Sequence, residues 1–414
     1  MSTSRIVSLA LMLMAVIAVG AQTVVSGLVR DAQTGKVLSS VSIMAEGSSQ
    51  HTVTNDEGRF RLRVPRQPHY LLLSHVGYQP LRVRLFSGQN EQLEILMTQG
   101  TVQLSELVVS VANPYELVRE AMRRIPRNYP GEAELVRCFY RETARKGSRF
   151  IAIAEAVADM YKTSYYNGPE FDAVAIVKGR RLMSMKGSDT LGIKVQGGPI
   201  TPLMADVAKN PDYMLNDQML IYCDFHMETP VRIGGRLHHV VEVVPRPSTP
   251  LPLMGGRLFI DQQSLTISRA ELQLDMRDWR KASKYMLVRK PPTLRFRPRE
   301  LSMTVVYETD DQGIAHMSYL CNRMRFNCDW RRHLFASAYT TVIEMVVTDR
   351  LQHGREARPP KGRAVFGSRE CFYDNTEYFE DPDFWDDYNI ILPTESLEHA
   401  IDKLKKKKSN NTTQ

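Results

Sequence analysis

The sequence predicts a mainly β protein in two folded parts: a small N-terminal β-sandwich, then a larger antiparallel curved sheet or half-barrel with a few helices. Three observations lead there. Short runs rich in β-branched and aromatic residues alternate with Gly, Asp and Asn turns along most of the chain. Few stretches carry the i, i+3, i+4 apolar spacing of a helix. The length of 414 residues, at about 150 per domain, gives room for two or three domains with buried cores. Hydrophobic residues at 43% and charged residues at 24% exclude long disorder, a coiled coil and a polytopic membrane protein.

The N-terminus reads as a leader. Arg5 precedes an apolar stretch, 6–19, closed by Gly20 and Ala21, the pattern of a secretory signal peptide over residues 1–21 with cleavage before Gln22. The run is shorter than the roughly 20 residues of a spanning helix, and no cysteine follows it to take a lipid. Later segments are also too short to span, so the expected product is exported, periplasmic or outer-membrane associated, and soluble or peripheral. Lys and Arg outnumber Asp and Glu by 54 to 46, a net charge of +8. Removing Arg5 and the tail lysines Lys403, Lys405, Lys406, Lys407 and Lys408 leaves +2. The basic balance is therefore mostly terminal and argues for no nucleic-acid partner.

Residues 22–100 hold β-like runs at 24–30, 41–45, 59–64, 70–74 and 81–85. Gly35 and Gly58 mark turns that need positive φ. Across 59–64, Phe60, Leu62 and Val64 alternate with Arg59, Arg61 and Arg63, giving one apolar and one basic face. The pieces Gly27-Leu28-Val29-Arg30-Asp31 with Thr34-Gly35, Thr54-Asn55-Asp56-Glu57-Gly58-Arg59-Phe60 and Ser74-His75-Val76-Gly77-Tyr78 resemble the carboxypeptidase regulatory-like domain. That resemblance implies a transthyretin-like, seven-stranded sandwich common in secreted Bacteroidetes proteins, and implies no peptidase activity. Leu104-Ser105-Glu106-Leu107-Val108-Val109 is similar to the segment after this domain in TonB-dependent receptors, but fewer than 310 residues follow, too few for a plug and 22-stranded barrel.

A linker and amphipathic helix are expected over 101–130. Asn113 offers an N-cap, Pro114 stands at N1, and Leu117, Val118, Ala121, Met122 and Ile125 recur at helical spacing. Arg119, Arg123 and Arg124 fall largely opposite and read as a solvated face. The β-rich domain, 131–350, opens with a hairpin, 136–145 and 150–161 about Lys146-Gly147-Ser148, although alanines in the second arm leave a helix open. Then come 171–178, a short helix near 201–209, and strands near 219–226, 237–244, 257–260, 265–274, 302–308, 315–326 and 335–347. Their short turns imply an antiparallel meander. The remainder, 351–414, reads as a C-terminal docking segment and Lys-rich tail. Phe139-Tyr140-Arg141-Glu142, Gly256-Arg257-Leu258-Phe259-Ile260-Asp261 and the stretch from Asp383 to Ile391 resemble the large domain joined to this sandwich in Bacteroidetes secreted proteins, a family with no established active site to carry over. Its architecture is similar to the half-barrel of lipoprotein carriers.

Chemistry is sparse. His239 and Glu242 form an HxxE pair, but within a strand i and i+3 face opposite sides, so they are not expected to share a zinc. GxSxG, Walker A and GxGxxG motifs are missing, so no catalytic residue, metal site or cofactor is expected. Asp381, Asp383, Asp386 and Asp387 surround Phe384 and Trp385 without EF-hand spacing and read as a docking tail pinned by Trp385. Cys321 and Cys328 flank an expected turn, where a disulfide and two separate buried thiols both stay open. Between 277 and 299 nine Arg and Lys oppose Asp278. Its prolines read as a flexible, solvated loop, yet Arg295, Arg297 and Arg299 share a face if extended and are the candidate contact for an anionic surface. The expected function is a non-enzymatic cell-envelope protein that binds or scaffolds an envelope protein or apolar ligand through its curved sheet. The alternatives are a periplasmic carrier of a lipophilic ligand and a metal-dependent hydrolase.

Overall fold

A computed structural model describes residues 23–64, 68–86, 90–100, 113–184, 194–195, 198–210, 216–247, 249, 252–289, 294–330, 336–362, 365–367, 372 and 388–412. The leader, the 104–109 segment, Cys371 and the acidic stretch with Trp385 lie outside these residues.

Seven short strands build the sandwich: β1 (Thr23–Asp31), β2 (Ser42–Ala45), β3 (His51–Val53), β4 (Arg59–Val64), β5 (Tyr70–Ser74), β6 (Leu81–Arg84) and β7 (Leu93–Met97). One sheet runs β4-β1-β7, the other β3-β2-β5-β6. Alternation decides what lies between them. Phe60, Leu62 and Val64 of β4 are buried with Val25, Ile43 and Leu71, while Arg59 is exposed. The β3–β4 turn needs glycine. Gly58 has φ +73°, and a Cβ there would stand 2.7 Å from the Val29 carbonyl oxygen.

Helix α1 (Pro114–Arg123) starts as its sequence dictates: Asn113 accepts a hydrogen bond from the Tyr115 N–H, a cap worth about 1 kcal/mol, and Pro114 occupies the first turn. Leu117, Val118 and Ala121 are buried, and α2 (Ile125–Asn128) follows. Arg119, Arg123 and Arg124 pair with Glu116, Glu120 and Asp217 at the surface, as expected of a solvated face.

The large domain adds β8 (Glu134–Lys146), β9 (Arg149–Lys162), β10 (Ala173–Met183), β11 (Lys194–Val195), α3 (Thr201–Met204), α4 (Asp217–Leu220), β12 (Cys223–Ile233), β13 (Arg236–Pro245), β14 (Met254–Asp261), β15 (Ile267–Leu274), α5 (Trp279–Met286), β16 (Leu287–Arg289), β17 (Leu294–Thr309), β18 (Ala315–Trp330) and β19 (Ser337–His353). Ten strands form one open antiparallel sheet in the order β10-β9-β8-β19-β18-β17-β15-β14-β13-β12. The chain enters mid-sheet, moves to one edge through β8, β9 and β10, crosses to the far edge at β12, and meanders back until β19 pairs with β8. On the inner face, Tyr140, Leu258, Phe326 and Met345 pack under Val118, Leu203, Met286 and Phe372. Ala152, Ala154, Ala156 and Ala158 lie in strand β9, on that same buried face, so the alanines signal a close covering layer rather than a helix.

Two expectations change, and two open points are filled in. The strand placed near 219–226 begins at Cys223, because Asn216 caps α4 by accepting from the Gln218 N–H. The basic stretch is no loop: α5 occupies its first half, and β17 starts at Leu294. Pro298 sits where the register to β18 shifts, so its missing N–H is tolerated in the ladder. Cys321 and Cys328 lie seven positions apart on one strand with side chains in different clusters, and both are free thiols. Finally, the lysine tail continues α6 (Glu395–Thr412), whose Leu397, Ile401 and Leu404 pack on Ile153 and Leu182.

Candidate functional site

The sheet's other, outer face carries the sandwich. Cross-strand register lays this face out in rows across β8, β19, β18 and β17. The first row, Phe139, Val346, Tyr319 and Val306, is apolar and packs against Val53 of β3 and Ile391. The next is Arg141, Glu344, Cys321 and Thr304, then Thr143, Val342, Arg323 and Ser302, then Arg145, Thr340, Arg325 and Glu300. The face thus grades from an apolar seat to an arginine-rich surface.

Histidine fixes the seat. His51 of β3 is 5% exposed; its Nδ1 donates to the Val347 carbonyl at 3.0 Å, and its Nε2 stands 3.2 Å from Glu308 Oε1 on β17. Burial opposes a charge on His51, but the charge and hydrogen bond of Glu308 outweigh it and raise its pKa. Burial likewise opposes Glu308, and His51 still holds it down at about 2. Ser42 also donates to Glu308. Beside this pair, a cavity of about 280 Å³ lies between sandwich and sheet, with Asp310 and Arg350 on its wall.

Arg141 ties the C-terminal segment into the junction. Its Nε donates to Glu155 at 2.7 Å and its Nη2 to the Ile391 carbonyl at 2.7 Å, while Arg180 also donates to Glu155. Asn389 clamps the sandwich, accepting from the Arg63 N–H at 2.6 Å and donating to the Arg63 carbonyl at 2.9 Å. Asn55 donates to the Pro393 carbonyl at 3.1 Å. These contacts roof a second cavity of about 330 Å³ over the arginine rows. Four arginines line it: Arg141, Arg145, Arg269 and Arg323. Arg141 and Arg269 are held by Glu155 and Glu271. Among the described residues no carboxylate lies within ion-pair distance of Arg145 or Arg323; Arg145 instead rests over the Phe150 ring, 4.1 Å from its centroid. Burial pushes the Arg145 pKa down, and the charge of Arg323 adds to this.

The inner face holds a different polar cluster. Asp206, in the segment after α3, accepts from Lys162 at 2.6 Å, Tyr165 at 2.7 Å and Tyr307 at 2.7 Å, and all four are buried. Lys209 reaches Asp172 at 2.5 Å. Both Asp206 oxygens are engaged inside the core, so Asp206 anchors the covering segment.

The sequence candidates fall as follows. Arg295, Arg297 and Arg299 are exposed on β17, alternating with buried Leu294, Phe296 and Pro298. Arg295 stands opposite Asp329 and Arg297 opposite Asn327, which places them on the face of Arg323 and Arg325. His239 lies on the inner side with Val241 and Val243, and Glu242 on the opposite side. Arg145 and Arg323 went unseen as a pair because their strands are joined only through β19. The alternation of Arg323 and Arg325 about buried Met324 was the available signal.

Residues 25–109 match the family model described as CarboxypepD_reg-like domain. No curated protein sequence matches the chain. Among solved structures, a DUF1329 family protein from Desulfovibrio piger is 12% identical, covering 56% of this chain and 91% of its own, with a TM-score of 0.23. A LolA superfamily protein from Nitrosomonas europaea is 11% identical, covering 56% and 94%, with a TM-score of 0.19. At such scores neither likeness bears on function, and what the chain is similar to with specificity is a CarboxypepD_reg-like domain at its N-terminus.

Proposed function

We propose that the protein is a non-enzymatic component of the cell envelope that binds or scaffolds anionic partners through the outer face of its ten-stranded sheet. The observation that carries this reading is the arrangement of that face. Arg145, Arg295, Arg297, Arg299, Arg323 and Arg325 lie on or beside three neighbouring strands, with Glu300 and Asp329 between them. The sandwich is the rigid wall beside this arginine-rich part, on which Arg295, Arg297, Arg299, Arg323 and Arg325 are exposed. A buried histidine, Arg141 and Asn389 hold it in one position, which suits a scaffold whose surface must keep its shape.

The three function classes separate in one preparation. Protein purified without detergent is analysed by native mass spectrometry and incubated with hydrolase-directed covalent probes. The expected result is neither bound lipid nor probe labelling. Stoichiometric lipid would move the function to a carrier, which also requires the segment held by Asp206 to leave the inner face. Labelling would make the protein an enzyme and end this reading.

A further inference from the structure

The roofed cavity differs from the open basic surface beside it. It has walls, a small volume and two arginines, half-buried Arg145 and exposed Arg323, that make no close ion pair among the described residues, and its remaining lining is rich in hydroxyls. Cα positions of Arg145 and Arg323, two strands and one row apart, are roughly 12 Å from each other by strand spacing, within reach of two long side chains converging on one group. Guanidinium groups bind oxyanions with paired donors. In the same lining, Glu344, on β19 one row from Arg323, and Asp56 supply acceptors, and Thr143, Thr340 and Ser40 supply hydroxyls. Phe150 and Leu392 give small apolar areas. A volume of about 330 Å³ lies at the lower end of small-molecule pockets.

We infer that this cavity is a binding site for a small anionic sugar, with the oxyanion between Arg145 and Arg323 and the ring hydroxyls on Glu344, Asp56 and the threonines. The inference rests on reading the outer face as the binding surface and adds a ligand class to it. An oxyanion gives Arg145 and Arg323 the close partner that Glu344 and Asp56, acting at longer range, do not. The carboxylates and threonines of the lining match a ligand that also carries several hydroxyl groups, as a sugar ring does.

The test is isothermal titration of the full chain with galacturonate, glucose 6-phosphate and glucose. Binding of either charged sugar, with glucose at least tenfold weaker, supports the site, and the preferred charged sugar tells carboxylate from phosphate. Arg145→Gln and Arg323→Gln are each expected to weaken binding at least tenfold. Thr340→Phe, which fills the cavity and removes no charge, is expected to abolish it at an unchanged far-UV spectrum. Arg123→Gln, on the exposed face of α1 and outside the binding surface, is expected to bind as the wild type does. A wild type that binds neither charged sugar, or a double arginine variant that binds like wild type, overturns the inference. If that protein still partitions to anionic surfaces through Arg295, Arg297 and Arg299, the sugar site alone has failed; if it does not, the functional reading has failed with it.

Discussion

Two single residues show how local physics fixes this molecule. Gly58 combines a positive φ with a neighbour too close for any side chain. Gly58→Val is therefore expected to destabilise the sandwich by about 3 kcal/mol or more, combining backbone strain with a steric clash. Denaturant unfolding checks this, and an unchanged midpoint would mean that the turn relaxes freely. Glu142 of β8 is buried on the inner face, and burial raises its carboxyl to about 7 despite bonds from Tyr140 and the Gly198 N–H. A raised carboxyl pKa means the folded state prefers the proton. Stability is thus lost as pH rises from about 4.5 towards 7 and stays lost above that. Glu142→Gln should melt higher than wild type at pH 8 and equal to it near pH 4, with the gap closing in between. A gap independent of pH would show that Glu142 does not titrate there. At this scale Gly58 and the Asn113 cap were legible because each depends on neighbours in sequence. Glu142 was not, because its pKa depends on what covers it.

Elements were legible where alternation was complete and obscured where composition misled. Pro291, Pro292 and Pro298 suggested a loop, yet Leu294, Phe296 and Pro298 already alternate with the arginines, and a register shift accommodates the proline. The alanines of β9 left strand and helix open, since alanine favours a helix and only packing against a close layer explains it in a strand. That layer depends on Asp206. Asp206→Ala leaves Lys162 charged and buried without its partner, expected to cost about 3–5 kcal/mol. Chemical denaturation measures it, and limited proteolysis should cut first within 198–210. A variant as stable and protected as wild type would deny Asp206 its anchoring part.

For the whole molecule, the sandwich and the order of turns could be read from the chain, but the closure of β19 on β8 could not. Those strands are about two hundred residues apart, and their register alone brings Arg145, Arg323 and the β17 arginines onto one face. The junction that fixes this face should respond to pH. His51 has a raised pKa, so its contribution is complete below 6.5 and is lost as pH climbs through the raised value. Glu308 is lowered from 4.5 to about 2, so its contribution is present above 4.5 and is lost as pH falls towards 2. The pair therefore supports the junction most between about 4.5 and 6.5, and His51→Gln should narrow the difference in Tm between pH 6 and pH 9. An identical pH profile for variant and wild type would exclude His51 as the cause. The claim that the outer face engages anionic partners is tested most directly by vesicle partitioning. The protein is cut after Leu404, the last packed residue described in α6, which removes Lys405, Lys406, Lys407 and Lys408. At about 1 kcal/mol per charge, changing Arg295, Arg297 and Arg299 to glutamine should weaken partitioning to anionic vesicles by roughly two decades at moderate salt; equal partitioning before and after the change would contradict the account.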